Sequence, residues 1–256
     1  MKRWLIIAIL VIASTAWADG TWNVTTTCDD CTGKLGCQNF EGTGYDNSET
    51  WTEGTEGTLT TGVLNEDYAV SPIRGSQSLR MKDDSTNGFW TTYMFPAQDD
   101  IYLFMQFKLV DYPAIDRPYE VMTFYHYVVD PYELDFLVVL EVDATAGTHY
   151  HFTFYTYGTG GGHLTSETTE RTTGTVYNVW LYLKKGTTNN NAQGWLRVAD
   201  ANTFTMPGTN NLSFTNGTWG TDNFTAAGFT TQAGAGYEYV VDHVIFSSSS
   251  IGSVCP

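Results

Sequence analysis

The chain has 256 residues, with 12 Lys and Arg against 28 Asp and Glu, and a formal net charge of −16 at pH 7. Affinity for nucleic acid comes largely from basic residues displacing counterions, so this balance argues against a nucleic-acid partner. Thr, Tyr, Phe, Val, Gly and Asn give the chain a strand-and-turn vocabulary, and no stretch after the leader shows helical periodicity over a useful length.

The first eighteen residues read as a signal peptide. Lys2 and Arg3 give a positive start, Trp4 to Ala13 an apolar run, and Ala16-Trp17-Ala18 a small-x-small cleavage site. That run is about half the roughly 20 residues a spanning helix needs, so the expectation is a mature chain starting at Asp19, secreted or at the cell surface, with no membrane span after cleavage. Residues 19–36 form a strand-prone segment with two cysteines, and residues 37–256 read as one domain, since all-β sandwiches commonly reach about 200 to 250 residues around one core. Thr21 to Thr27 has the character of a strand that could be lent to an exposed sheet edge of another copy, the basis of an alternative reading as a subunit of extracellular filaments or a surface layer.

Cys28, Cys31, Cys37 and Cys255 are expected to be oxidised outside the cytoplasm. Three pairings exist. With three cysteines near the start and one next to last, at least one bond ties the chain ends together, and Cys28 with Cys31 and Cys37 with Cys255 is the pairing we expect.

Short alternating runs between turn signals predict strands at 37–41, 77–81, 89–95, 101–110, 120–129, 134–143, 149–157, 177–184, 194–199, 224–229 and 237–246. The architecture they predict is a two-sheet antiparallel β-sandwich. Within 134–143, alternation sets Leu134, Phe136, Val138, Leu140 and Val142 on one face, and Glu133, Asp135, Glu141 and Asp143 on the other. By the same parity His149, His151, Tyr155 and Tyr157 oppose Tyr150, Phe152 and Phe154, while Tyr125 and Tyr127 oppose Met122, Phe124 and Val128. His126 falls on the apolar parity, and Gly158 to His163 reads as a loop with no phosphate-binding ending.

If the polar faces share one sheet, they form a surface of tyrosines, histidines and carboxylates, joined by Trp180 and Tyr182 from a neighbouring strand. Aromatic rings stack on the C–H faces of pyranoses, and carboxylates and imidazoles bond to hydroxyls, so such a surface suits a glycan or polysaccharide. Tyr125, Tyr127, Glu133, Asp135, His151, Tyr155 and Trp180 are the candidate ligand-binding residues.

Four segments carry a resemblance: Asn39-Phe40-Glu41-Gly42 followed by Trp51, Gly75 to Arg80, Tyr177 to Leu181, and Tyr239 to Ile245. In these the chain resembles the concanavalin A-like lectin and glucanase superfamily, which includes laminin G-like modules. The resemblance implies a jelly roll whose concave sheet binds glycans, sometimes with a structural calcium ion. Glu41 and Asp242 look like the carboxylates that would hold such an ion, with a carbonyl near Gly75 or Ser76. The plainer alternative makes Glu41 a strand end and Asp242 an exposed residue. Asp83 to Gly88 looks like a calcium loop, but its twelfth position is Met94, so a turn is the better reading.

Glu133-Leu134-Asp135-Phe136 is similar to the first half of the E-x-D-x-E motif of laminarinase-like glycosidases in this superfamily. Where the second carboxylate belongs stand Leu137 and Val138, and Glu141 lies about 20 Å along an extended strand from Asp135. The expectation is therefore a non-catalytic, lectin-like protein, with filament assembly second and a glycoside hydrolase or polysaccharide lyase third.

Overall fold

A computed structural model of the protein describes residues 33–38, 40, 51–55, 67–68, 73–74, 78–82, 89–112, 118–128, 133–145, 148–156, 163–188, 191–217, 222–231 and 236–255. The expected strand at Thr21 to Thr27, Cys28, Cys31, Glu41, Ser76 and the turn at Asp83 to Gly88 lie outside them.

The described residues form no helix. In chain order the strands are β1 (Gly36–Gln38), β2 (Trp51–Thr55), β3 (Asp67–Tyr68), β4 (Leu79–Lys82), β5 (Phe89–Gln98), β6 (Asp100–Asp111), β7 (Tyr119–Val128) and β8 (Glu133–Thr145). They continue as β9 (His149–Thr156), β10 (His163–Ser166), β11 (Arg171–Thr172), β12 (Val176–Lys184), β13 (Ala192–Asp200), β14 (Leu212–Gly217), β15 (Phe224–Thr230) and β16 (Glu238–Ser247). The first sheet runs β14-β13-β12-β6-β16-β4-β3, with β1 also on β16; the second runs β10-β9-β8-β7-β15-β5-β2, with β11 also on β9.

The two sheets meet through their apolar parities. Leu103, Met105 and Phe107 of β6 share one buried cluster with Phe124 of β7, Leu140 of β8 and Phe152 of β9. Each such side chain, fully removed from water, contributes about 1.5–3 kcal/mol before the cost of ordering the chain. Polar residues at the alternating positions face away from this core, which is the two-sided pattern expected of antiparallel sheets. On β7 the register slips between Glu120 and Met122, so both Val121 and Met122 enter the core.

The chain ends close on each other at β16. Its ten positions are all buried, because its outer face is covered as well. There Cys37, Phe104, Trp180, Ile245, Ile251 and Val254 make a second apolar cluster. The last residues are pinned across it by Val254 N–H to the Phe204 carbonyl at 2.9 Å and Met206 N–H to the Gly252 carbonyl at 2.7 Å. Cys37 and Cys255 are both buried and both disulfide-bonded.

The expected strands are present with ends shifted by a few residues, and β2, β3, β10, β11 and β14 were not foreseen. Most of these are too short to show a period of two. The expected loop at Gly158 to His163 is corrected at its end: His163 opens β10 and pairs with Thr156 of β9.

Candidate functional site

The three strands that carried most of the candidate residues are neighbours. β7 pairs with β8, and β8 with β9, all in the second sheet. Because Met122, Phe124, Leu140, Val142, Phe152 and Phe154 point into the core, Thr123, Tyr125, Val139, Glu141, Asp143, His151, Thr153 and Tyr155 fall on the outer face. His151 stands opposite Asp143, and Tyr155 opposite Val139. His151 and Tyr155 are half-buried, whereas Tyr125 is almost wholly buried. Tyr127, Glu133 and Asp135 lie on the same two strands, with their side chains outside the described residues, and the expected common face is corrected: the register slips between Phe124 and Tyr125, so Tyr125 pairs with Phe136 and Tyr127 with Leu134, while Asp135 pairs with His126 and Glu133 with Val128.

The middle of this face is a row of small residues. Thr92 of β5 pairs with Gly228 of β15, which pairs with Thr123 of β7, followed by Val139 and then Tyr155. A side chain at position 228 would meet the Thr91 carbonyl oxygen at 2.2 Å, so only glycine fits between the two threonines. Tyr125 stands in the row on one side, opposite Ala226, and Glu120 opposite Glu141 in the row on the other. We call this row of short side chains, in which Thr123 and Val139 are fully buried, the trough.

Its floor is polar and unsatisfied. The Thr92 and Thr123 hydroxyls and Glu141 Oε2 are buried and make no hydrogen bond. An unpaired buried polar atom costs roughly 1–3 kcal/mol, so three on one face require an explanation. Glu141 is 8% exposed. Burial, then the carboxylates of Glu120 and Asp143, raise its pKa from 4.5 to about 7. At the rim, His151 Nδ1–H donates to the Thr169 carbonyl at 3.1 Å, which leaves Nε2 as the acceptor of the neutral ring. Together these groups offer hydroxyl, carboxylate and imidazole partners beside aromatic rings.

The architecture has counterparts among solved structures. The cellulose-induced protein Cip1 superposes with a TM-score of 0.53 at 13% identity, over 86% of this chain and 99% of that one. The Ca2+-bound VIP36 exoplasmic/lumenal domain (TM-score 0.48, 10% identity, 85% and 90% covered) and the alginate lyase vAL-1 from Chlorella virus (0.46, 10%, 77% and 93%) are also similar. The fold is a concanavalin A-like jelly roll. No protein-family model and no curated protein matches the chain, so the likeness is one of fold.

Trp180 does not join the trough of this jelly roll. It sits on β12 in the first sheet, 1% exposed, beneath the C-terminal residues and 5.0 Å from the Phe104 ring. Its outward parity was right, but parity does not say which sheet a strand enters. Tyr182 is on the same outer face, in a row with Tyr102 and Trp195 at ring separations of 4.6 and 5.5 Å.

Asp242 also belongs to the first sheet's outer face, and it is buried rather than an exposed alternate residue. Its carboxylate accepts from the Ser78 hydroxyl at 2.8 Å, Arg74 N–H at 3.0 Å and its neighbour His243 N–H at 2.7 Å. The Arg74 guanidinium bonds to His243 and, at 3.0 Å, to the Cys255 carbonyl. This clasp ties three distant segments where β16 bulges and His243 takes a φ of +49°. These surroundings suit a hydrogen-bonded clasp better than a cation site, since an ion would have to displace Ser78 and stand near Arg74. Among the described residues no three His, Cys, Asp or Glu side chains converge on a point that could hold a metal ion.

Two residues of the trough escaped the sequence analysis. Glu141 was on the correct face but was judged only by its distance from Asp135, and Glu120 enters the site through cross-strand pairing alone. The signal that could have found Glu141 is E-x-D at Glu141-Val142-Asp143, a second acidic pair on β8 beyond the register slip from the first.

Proposed function

We propose that the protein is a secreted, non-catalytic glycan-binding jelly roll that holds its ligand on the outer face of the second sheet. One observation carries this reading: the unpartnered Thr92, Thr123 and Glu141 atoms line a trough flanked by Tyr125, His151 and Tyr155. A sugar edge supplies the hydroxyls these atoms lack, and its C–H face covers the rings. Tyr127 would extend the contribution of β7, with Glu133 and Asp135 at the edge of the same strand pair. The leader and the oxidised Cys37 and Cys255 support a place outside the cytoplasm, with a Cys37–Cys255 bond as the proposed pairing.

The test is a glycan array with the mature protein, run beside a Tyr125→Ala, Tyr155→Ala variant of checked fold. Saturable retention that the variant loses is the expected result; equal retention by both would move the site elsewhere. A structural calcium ion at Asp242, with Glu41 and Ser76, is a separate proposal from the trough and requires the ion to displace the Ser78 hydroxyl. It predicts a Tm that rises with added calcium and falls with chelator, and an unchanged Tm removes it.

A specific observation favours hydrolysis as the second reading. Glu141, raised to about 7, faces Glu120 directly across the strands, and a carboxyl that holds its proton beside a second carboxylate is the pairing glycoside hydrolysis uses. Release of reducing ends from a polysaccharide panel, lost in Glu141→Gln, would establish it.

A further inference from the structure

Four arginines lie among the described residues, and three of them serve the fold. Arg80 takes both oxygens of Glu238, at 2.7 and 2.8 Å, and Arg171 both oxygens of Glu167, at 3.2 and 2.8 Å. Arg74 belongs to the clasp, with its N–H on Asp242 and its guanidinium on His243 and the Cys255 carbonyl. Arg197 differs. Its Nε–H donates to Asn210 Oδ1 at 2.7 Å and its Nη1–H to the Pro207 carbonyl at 2.8 Å, two neutral acceptors. Among the described residues no carboxylate pairs with it, in a chain with 28 Asp and Glu against 12 Lys and Arg.

The head group of this half-buried arginine is fixed in place. Its Cζ stands over the Trp195 ring, 4.5 Å from the centroid. With the guanidinium held by two hydrogen bonds and a ring, three of its five N–H donors stay uncommitted among the described residues. A planar fork fixed this way loses little freedom when it meets a carboxylate or a sulfate. The neighbouring positions hold no acid: Trp180 stands opposite on β12, Trp195 and Ala199 two residues away on β13, and Asn211 and Ser213 on the β14 side. Asp100 is two strands away on β6, where it accepts the Tyr182 hydroxyl at 3.1 Å.

An apolar patch starts beside the fork. Ile251 and Val254 cover Phe104, Trp180 and Ile245, but the next row of the same face, Trp195, Tyr182 and Tyr102, stays only half-buried. The three ring centres lie within 6.4 Å of one another, a patch about the width of a single pyranose, and aromatic surface of this kind packs against the C–H face of a sugar. The row ends at Ser213, exposed on β14 opposite Trp195.

We propose that this corner of the first sheet is a second glycan site, which takes a sugar bearing a carboxylate or a sulfate: Arg197 holds the acid group, and the patch of Trp195, Tyr182 and Tyr102 holds the sugar ring beside it. The site is separate from the trough, which lies on the other sheet. The chain's own negative charge does not forbid such a ligand, because charges farther away than about 8 Å are largely screened at physiological salt.

Calorimetric titration of the full mature protein in physiological salt tests this with hexagalacturonate, its methyl ester, a sulfated galactose hexamer, the desulfated counterpart and pentaglutamate. At least one acidic hexamer should bind about tenfold or more tighter than its neutral counterpart and than pentaglutamate, and which one does so tells carboxylate from sulfate. In Arg197→Gln that preference should fall below about threefold, while Tyr125→Ala, Tyr155→Ala, altered only on the other sheet, should keep it. Ser213→Asp, at an exposed position, should weaken the acidic hexamer about tenfold with Tm unchanged, which keeps the test decisive if Arg197→Gln loosens the segment around Pro207 and Asn210. Equal binding of the neutral counterparts would overturn the acidic assignment, and pentaglutamate binding as tightly as the acidic hexamers would overturn the sugar. A preference kept in Arg197→Gln and Ser213→Asp but lost in the Tyr125, Tyr155 pair would move the acidic glycan to the trough, overturning this site and leaving the glycan-binding reading intact. No binding of either acidic hexamer would overturn this site, while the trough stands or falls by its own array.

Discussion

The two outer faces of this sandwich are built from the same kind of strand and treated in opposite ways. On the first sheet the face is closed over β6, β12 and β16: Ile251 and Val254 lie over Phe104, Trp180 and Ile245, and Asp242 is clasped by Ser78, Arg74 and His243. Among the described residues two side-chain atoms remain unpaired there, Gln106 Oε1 and Trp180 Nε1, and neither carries charge. On the outer face of the second sheet the Thr92 and Thr123 hydroxyls and Glu141 Oε2 go unpaired near the half-buried His151 and Tyr155, and on its inner face the Tyr119 and Tyr150 hydroxyls make no hydrogen bond. One face is finished by the chain itself. The other keeps buried polar atoms without partners, so stability is given up there, a common arrangement at functional sites.

The largest effect that would sharpen this contrast is expected at the closed face. Asp242→Ala strands the Ser78 hydroxyl and two N–H groups and should cost about 3–5 kcal/mol in denaturant unfolding. Glycan binding on the opposite sheet should persist wherever the variant is folded. Next, Gly228→Ala forces a methyl against the Thr91 carbonyl and should cost about 1–3 kcal/mol, with lost binding because the trough floor is raised.

Glu141→Gln should act in the other direction. The folded chain holds the Glu141 proton more tightly than the unfolded one, whose value is 4.5. Folded-state stability therefore falls as pH rises from about 4.5 through about 7. The variant should gain about 1–3 kcal/mol above pH 7 and nothing near pH 4 in paired urea titrations. The smallest stability effect belongs to Tyr155→Ala, within about 1 kcal/mol for a half-buried rim residue, with binding lost all the same.

What could be read from the sequence follows from what alternation encodes. The parity of 139–143 and 149–156 identified the faces of that part of β8 and of β9, whereas the register slip between Phe124 and Tyr125 breaks the parity expected for 134–138 against β7. Alternation is silent on which sheet a strand enters, so Trp180 and Tyr182 were grouped with residues that the sandwich puts on its far side. It is equally silent on register: that Glu120 meets Glu141, and that Gly228 separates two threonines, depends on pairings between segments far apart in the chain, as Gly228 is from Thr92. The Asp242 clasp was hidden for the same reason, since Ser78 and Arg74 reach it from the opposite end of the chain.

The most direct test replaces the trough hydroxyls by methyl groups of the same shape. In a Thr92→Val, Thr123→Val variant, two buried atoms that have no partner are removed without changing volume. If they are kept for a ligand, Tm should rise while affinity for the best glycan on the array drops about tenfold or more. Unchanged affinity, or a Tm that falls, would contradict the claim that this face is left unfinished for a ligand.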